Sequence, residues 1–347
     1  MRIGIQASYS GGFRQTAAEI RQLESAGLDL ATVAEVYTFD AVSQLGYLAA
    51  VTERVELMSA ILPIYSRTPA LTAMTAAGLD LVSDGRFTLG LGASGPQVIE
   101  GWHGVAYDAP LQRTREVVDI CRQVWRRERL VHDGPKYHVP LPPEQGTGLG
   151  KPLKLINTPV RDRIPVMLAA IGPKNVELAA EIAEIWEPIF FVPEKAGSVW
   201  GESLAAGRSR RDPALGDLQI AVGVPVAVGE DADALLDHVR PQLALYIGGM
   251  GARGRNFYND LARRYGYEDE ARTVQDLYLD GRKDEAAAAV PEELVRATAL
   301  VGPESHVAER VAAFREAGVT TLLLQPLDDS PEGRLRTVET MRRIADG

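Results

Sequence analysis

Three glycines, Gly90, Gly92 and Gly95, close an apolar run that reads Asp84-Gly85-Arg86-Phe87-Thr88-Leu89-Gly90-Leu91-Gly92-Ala93-Ser94-Gly95-Pro96-Gln97-Val98. Their spacing is the G-x-G-x-x-G pattern with which dinucleotide-binding folds clear space for a pyrophosphate at a helix N-terminus. That reading further requires a helix opening at once and an acidic residue at the end of the next strand, about 20 residues on. Pro96 and a long polar loop through Asp108 follow instead, and the acidic position falls inside a helical pattern from Leu111 to Glu128. The stretch therefore predicts a strand end that lets backbone approach a ligand closely, outside a dinucleotide fold.

Other chemistry-bearing residues are sparse. The five histidines, His103, His132, His138, His238 and His306, include no pair at i, i+3 or i, i+4 on one helix, so no metal site is expected. Gly92-Ala93-Ser94-Gly95 lacks the G-x-S-x-G elbow of a serine nucleophile. Cys121, the single cysteine, sits mid-helix among apolar residues and reads as core packing, which leaves no internal disulfide and fits a reducing compartment.

The elements that position these residues follow from the chain's rhythm. Short apolar strands are expected at Ile3 to Ala7, Leu28 to Ala34 and Val55 to Met58, then at the glycine stretch, Pro165 to Ala170, Ile185 to Phe191, Gln219 to Val228 and Thr320 to Gln325. Helices alternate with them. Thr16 is placed to cap the first, which Gly27 ends, Asp40 to cap one over Ala41 to Val51, and Thr68-Pro69 to open another running to Val82, and Ala234 to Ile247 reads as a further helix. Strands apolar enough to be covered on both faces, alternating with helices, predict a parallel sheet.

The 347 residues fit one (β/α)8 TIM barrel over 1–347, with insertions at about 129–164 and 231–298. The first insertion carries a hairpin turn signal at Asp133-Gly134-Pro135-Lys136. The second carries Tyr246-Ile247-Gly248-Gly249-Met250-Gly251, a flexible, partly aromatic stretch suited to a pocket wall or lid. A net charge of −10 without basic runs argues against nucleic acid as a partner. No signal segment or membrane-length apolar run is present, so a cytoplasmic protein is expected.

In such a barrel the working face lies at the C-terminal strand ends. There the sequence offers Gln6, Ala7, Glu35 to Phe39, Ala60 to Tyr65, Gly92 to Gln97, Ala170 to Asn175, Pro188 to Phe191 and Gln325. Glu35 is the one acid expected at a strand end, with Tyr65 and His103 near it in the loops. A mouth so poor in acids, bases and metal ligands implies that a bound cofactor carries the difficult step.

The glycine stretch, together with Ala60-Ile61-Leu62-Pro63-Ile64-Tyr65-Ser66-Arg67-Thr68-Pro69 and Tyr246 to Gly251, resembles the luciferase-like monooxygenase superfamily, and most closely its branch that uses the deazaflavin coenzyme F420. The resemblance spans nearly the whole chain. It implies a luciferase-like (β/α)8 barrel, usually a homodimer, that transfers a hydride between C5 of the deazaflavin and a small organic substrate. By the same resemblance Ala60-Ile61 matches a non-prolyl cis peptide behind the deazaflavin ring, and Glu35 an acidic position beside it. Ser94, Gly95, Gln97 and Val98 match the loop against ring and polyol. Ala169, Ala170, Ile171 and Gly172 match a segment approaching the coenzyme, with Pro173, Lys174 and Asn175 opening the helix whose amides hold its phosphate.

Glu35, Tyr65 and His103 are the candidate proton donors. Two alternatives stay open: an FMN-dependent monooxygenase on the same fold, and a barrel that binds F420 without turnover. The branch's sugar-phosphate dehydrogenases carry a histidine directly after the acid and a tryptophan soon after. Val36 and Asp40 occupy those positions here, which argues against glucose 6-phosphate as substrate.

Overall fold

A computed structural model describes residues 1–8 and 12–347. Eight strands form the ring: β1 (Arg2–Gln6), β2 (Leu30–Val33), β3 (Glu56–Ser59), β4 (Phe87–Gly92), β5 (Val166–Ala169), β6 (Ile185–Glu187), β7 (Gln219–Val228) and β8 (Thr321–Pro326). Each pairs in parallel with the next, and β8 pairs with β1, so the barrel closes. A short strand at Leu300–Gly302 adds to β7 outside the ring.

The strands alternate as a period of two requires. Leu30, Met58, Met167, Ile185, Ala221 and Leu323 form one packed layer inside the barrel, with Ala60, Ile61 and Ala169 against it. Trp186, Leu57, Leu168 and Leu322 point outward into the larger core under the helices. Two positions further along the strands, the next inward layer toward the mouth is small or polar: Thr32, Ala60, Ala169, Glu187, Gly223 and Gln325. The packed apolar floor thus gives way to small and polar side chains toward the mouth.

Local signals set the helix starts. Asp40 accepts from the Ser43 amide at 2.9 Å and caps the helix Ala41–Val51, while Thr68 accepts from Leu71 at 3.3 Å and Pro69 opens the helix Pro69–Val82. Strand Gln219–Val228 and the helix Pro173–Ile182 also lie where the sequence places them. His132–Asp133 and His138–Val139 pair antiparallel as the expected hairpin. Among the described residues no helix is long and apolar enough to cross a membrane.

Five expectations need correction. Strand β6 ends at Glu187 instead of running to Phe191, because Pro188 has no amide to donate and Phe190 turns into the left-handed region at φ 50°. The loop after Gly95 is not wholly irregular: Pro96–Gly101 form a short helix. The first helix begins at Phe13, with Thr16 inside it rather than capping it. Ala234 to Ile247 is not one helix but a 3-10 segment (Ala232–His238), a short α-helix (Arg240–Ala244) and a π turn (Leu245–Gly249). A helix at Pro193–Arg208 has no counterpart in the sequence reading, since Gly197, Gly201 and Gly207 interrupt its periodicity. Gly207 is required by contact: a Cβ there would lie 2.2 Å from the Glu177 carbonyl of the neighbouring helix.

Candidate cofactor site at the barrel mouth

The junction of β3 and β4 forms one wall. Ser59 Oγ donates to the Gly90 carbonyl and accepts from the Gly90 amide, both at 2.9 Å. This reciprocal contact brings the backbones so close that a Cβ on Gly90 would stand 1.6 Å from the Ser59 carbonyl oxygen. Gly90 is thus fixed by backbone approach to a neighbouring strand. Directly beyond, Ala60-Ile61 is a cis peptide, as the resemblance implies, and the Ile61 side chain covers Gly92. Ser94 sits at φ 57°, and Gln97 folds back over Gly95.

Glu35 leaves the end of β2 and is nearly buried. Its Oε1 accepts from Arg67 Nη1 at 2.6 Å, and its Oε2 accepts from Arg67 Nη2 at 2.9 Å and from the Ala41 amide at 3.0 Å. Both oxygens are therefore engaged in joining three mouth segments. Tyr65 donates its hydroxyl to the Asp108 carbonyl at 2.9 Å, and its ring lies 5.3 Å from that of Tyr107. Burial, with Tyr107 beside it, pushes the Tyr65 phenol well above its usual range. Asp108 in turn holds Arg113 at 2.7 Å and Lys136 at 2.6 Å, which pins the hairpin insertion to the mouth. His103 differs from these: its Nε2 is buried with no hydrogen-bond partner.

The opposite wall is built by β5 and β6. Trp186 Nε1 donates to the Ala170 carbonyl at 2.9 Å, and both Trp200 Nε1 and Arg264 Nη2 donate to the Ile171 carbonyl, at 3.3 and 2.8 Å. These contacts hold the segment from Ala169 to Gly172 in place before the helix Pro173–Ile182. No side chain caps that helix at Gly172, and the space around Gly172 is open. Its first-turn amides are free to meet an anion. Arg264 Nη1 is buried without a partner beside this helix start. Lys174 is exposed and pairs with Glu177 at 2.8 Å.

Two residues of the mouth escape the sequence reading. Glu187 is the last residue of β6, so Glu35 is not the only acid at a strand end. Its Oε2 is buried with no partner, and burial raises its carboxyl from the usual 4.5 to about 7. The second is Arg264, from the second insertion.

The 231–298 insertion covers one side of the mouth. Phe190, Tyr246 and Tyr258 pack edge to face, with Phe190 to Tyr246 at 5.3 Å and Tyr246 to Tyr258 at 4.8 Å. Asn256 donates to the carbonyls of Tyr246 and Ile247, and Asn259 donates to those of Ile247 and Ala271. Gly248 and Gly249 lie against the Tyr278 ring. Tyr246 to Gly249 is thus a pinned wall. Among the described residues no cluster of three or more His, Cys, Asp or Glu is arranged to hold a metal ion.

The closed parallel ring defines a (β/α)8 barrel, and the small upper layer and the orphaned polar atoms make its mouth the candidate ligand site. The chain belongs to the luciferase-like monooxygenase family, whose model matches residues 1–321. It is 44% identical over 330 residues, 93% of this chain and 94% of the other, to a protein of Mycobacterium tuberculosis provisionally named a coenzyme F420-dependent oxidoreductase. It is 25% identical over 330 residues to the 5,10-methylenetetrahydromethanopterin reductase of Archaeoglobus fulgidus, covering 93% of this chain and 92% of that one. The fold resembles that of the coenzyme F420-dependent tetrahydromethanopterin reductase of Methanopyrus kandleri, with a TM-score of 0.79 and 19% identity over 98% of this chain and 96% of that chain.

Proposed function

We propose that this chain is a coenzyme F420-dependent oxidoreductase that transfers a hydride between the deazaflavin C5 and a small organic substrate bound at the barrel mouth. The observation that carries the choice of F420 is the 44% identity, along nearly the full chain, to a protein named for that coenzyme. The mouth fits such a ligand. The first-turn amides after Gly172 and the unpaired Arg264 Nη1 suit its phosphate, and the upper layer presents small side chains, Ala60 and Ala169, toward the ring.

When bound, reduced F420 supplies a hydride. The chain's own residues would do the rest. Ala60 and Ile61 would support the ring from behind, and Ser94, Gly95, Gln97 and Val98 would bound ring and polyol. Ala169, Ala170, Ile171 and Gly172 would line the approach, and Pro173, Lys174 and Asn175 would open the helix at the phosphate. Glu35 would fix the wall beside the ring through Arg67 rather than give up a proton. Phe190, Tyr246 and Tyr258 would shield the substrate from water, so that orientation and dryness carry much of the rate. This aromatic wall favours an apolar or partly aromatic substrate, and Val36 and Asp40 disfavour glucose 6-phosphate.

The exposed Leu71, Met74, Leu81 and Val82 of the helix Pro69–Val82 accord with a homodimer, and the buried Cys121 thiol accords with a reducing, cytoplasmic setting. The test is titration of the apo-protein with F420 and with FMN, followed by fluorescence quenching. Tight F420 binding without FMN binding is expected, and the reverse overturns the reading in favour of a flavin monooxygenase. Tight F420 binding with no reduction across enones, imines and ketones would identify a binding protein instead.

A further inference from the structure

We propose that Glu187 is the residue that holds and delivers the proton accompanying hydride transfer, an inference that rests on the F420-dependent reading above. Strand alternation fixes its direction. Ile185 belongs to the packed layer inside the barrel and Trp186 to the outer core, so Glu187 returns inward, one layer nearer the mouth. It pairs directly with Ala169 of the neighbouring β5, and its carbonyl accepts from the Ala170 amide at 3.2 Å. The carboxyl therefore adjoins the segment that approaches the coenzyme.

Its chemical state suits the task. Oε2 is buried and makes no hydrogen bond, whereas buried carboxyl oxygens are ordinarily paired. The flanking strands Val166–Ala169 and Gln219–Val228 contribute no titratable side chain, and neither does the segment Pro188 to Phe191 that follows. Among the described residues no charge stabilises the ionised form, and burial raises the carboxyl to about 7. Near neutral pH such a group is divided between acid and base, the condition in which proton transfer is most effective.

The earlier candidates are less suited. Both oxygens of Glu35 are engaged by Arg67 and the Ala41 amide, and the Tyr65 hydroxyl is committed to the Asp108 carbonyl. His103, with its unpaired Nε2, is the one competitor.

The step balances as follows. One atom of a C=O, C=C or C=N bond receives the hydride with its two electrons, supplied by reduced F420. The π electron pair moves onto the other atom and takes the proton as the O–H bond of Glu187 breaks. The substrate is reduced by two electrons and the coenzyme oxidised by two, and the carboxylate regains a proton from water at the mouth. In the reverse direction the same carboxylate accepts the proton from an alcohol or amine.

The experiment compares wild type with Glu187→Gln, Glu187→Asp and His103→Gln. Carbon-13 NMR of glutamate-labelled apo-protein is expected to show one carboxyl titrating near 7 in wild type and absent from Glu187→Gln. F420 affinity of Glu187→Gln should stay within about threefold of wild type. Single-turnover reduction of enones and ketones by reduced F420 should fall about 100-fold in Glu187→Gln, partly recover in Glu187→Asp and stay near wild type in His103→Gln. A carboxyl that titrates in the ordinary range, a Glu187→Gln rate close to wild type, or loss of rate in His103→Gln instead would each overturn the role of Glu187. Failure of wild type to bind F420 would overturn the function itself, an outcome distinct from these because the carboxyl titration is read without coenzyme.

Discussion

Glu35 and Arg67 meet through two parallel contacts, Oε1 to Nη1 at 2.6 Å and Oε2 to Nη2 at 2.9 Å, with side chains only 8% and 14% exposed. A nearly buried pair of this kind is costly to break from one side, because the remaining charge is left without a partner. Arg67→Met or Glu35→Gln alone should destabilise the protein by about 3–5 kcal/mol, and the double variant should recover part of that loss. Urea unfolding followed by circular dichroism measures it. Single variants within about 1 kcal/mol of wild type would mean that the pair is solvated in solution.

Gly90 offers a steric prediction. A methyl group there collides with the Ser59 carbonyl, and neither backbone strand can move without opening the ring. Gly90→Ala should cost about 3 kcal/mol or more and lower Tm by at least about 4 °C, or prevent folding. Ser59→Ala removes only the reciprocal hydrogen bonds and should cost about 1–3 kcal/mol. An unchanged Tm in Gly90→Ala would show that the strands are not so close.

Arg264 and Lys174 separate a built anion contact from a solvated charge. Arg264→Met should weaken F420 binding by about 10- to 100-fold, the scale of one charge-assisted hydrogen bond. Phosphate-free deazariboflavin should bind Arg264→Met and wild type alike. Lys174→Ala, which removes an exposed lysine already paired with Glu177, should change F420 affinity by less than about threefold. Equal losses for both ligands in Arg264→Met would place its effect on the fold and not on the phosphate.

Two carboxyls give opposite pH trends. Glu24 is buried, which opposes ionisation, but it accepts from the amides of Val55, Arg54 and Glu53, and its carboxyl is held below the usual range. Its stabilisation is present above the unfolded value of 4.5 and disappears as pH falls through the lower folded value. Glu187 runs the other way. Between 4.5 and about 7 the unfolded chain has lost its proton and the folded chain keeps it, so stability falls as pH rises through that window. Glu24→Gln should flatten the acid limb of a Tm-against-pH curve, and Glu187→Gln should raise Tm more at pH 8 than at pH 5. Parallel shifts at every pH would refute the assignment.

Most of the frame was legible because it follows local rules. Asp40 and Thr68-Pro69 mark helix starts by their own side chains, and the apolar alternation of Gln219 to Val228 marks a strand. The residues missed depend on where chain segments stop or meet. Glu187 reaches the mouth because Pro188 ends its strand four residues earlier than hydropathy suggests. Arg264 lies 93 residues from Ile171, whose carbonyl it binds, inside an insertion that follows no barrel template. Nothing in the periodicity of either stretch carries that information. The candidate cofactor segments at Ala60-Ile61 and Gly172, by contrast, were reached through resemblance.

The register of the ring has its own consequence. β3 joins β4 through two residue pairs, Leu57 with Phe87 and Met58 with Thr88, and beyond Ala60-Ile61 the chain pairs with β4 again, Leu62 with Leu91 and Pro63 with Gly92, whereas β6 joins β7 only through Gln219 with Ile185 and Ile220 with Trp186. These thin seams divide the eight staves into a group of three and a group of five. One seam is riveted by Ser59 and Gly90, and the other is backed by the indoles of Trp186 and Trp200, 5.3 Å apart. The cis peptide stands at the head of the first seam and Glu187 at the head of the second. The first seam thus breaks at the cis peptide and re-forms toward the rim, while the second stops short of Glu187, so the rim is laced on the side of Ile61 and unlaced on the side of Glu187.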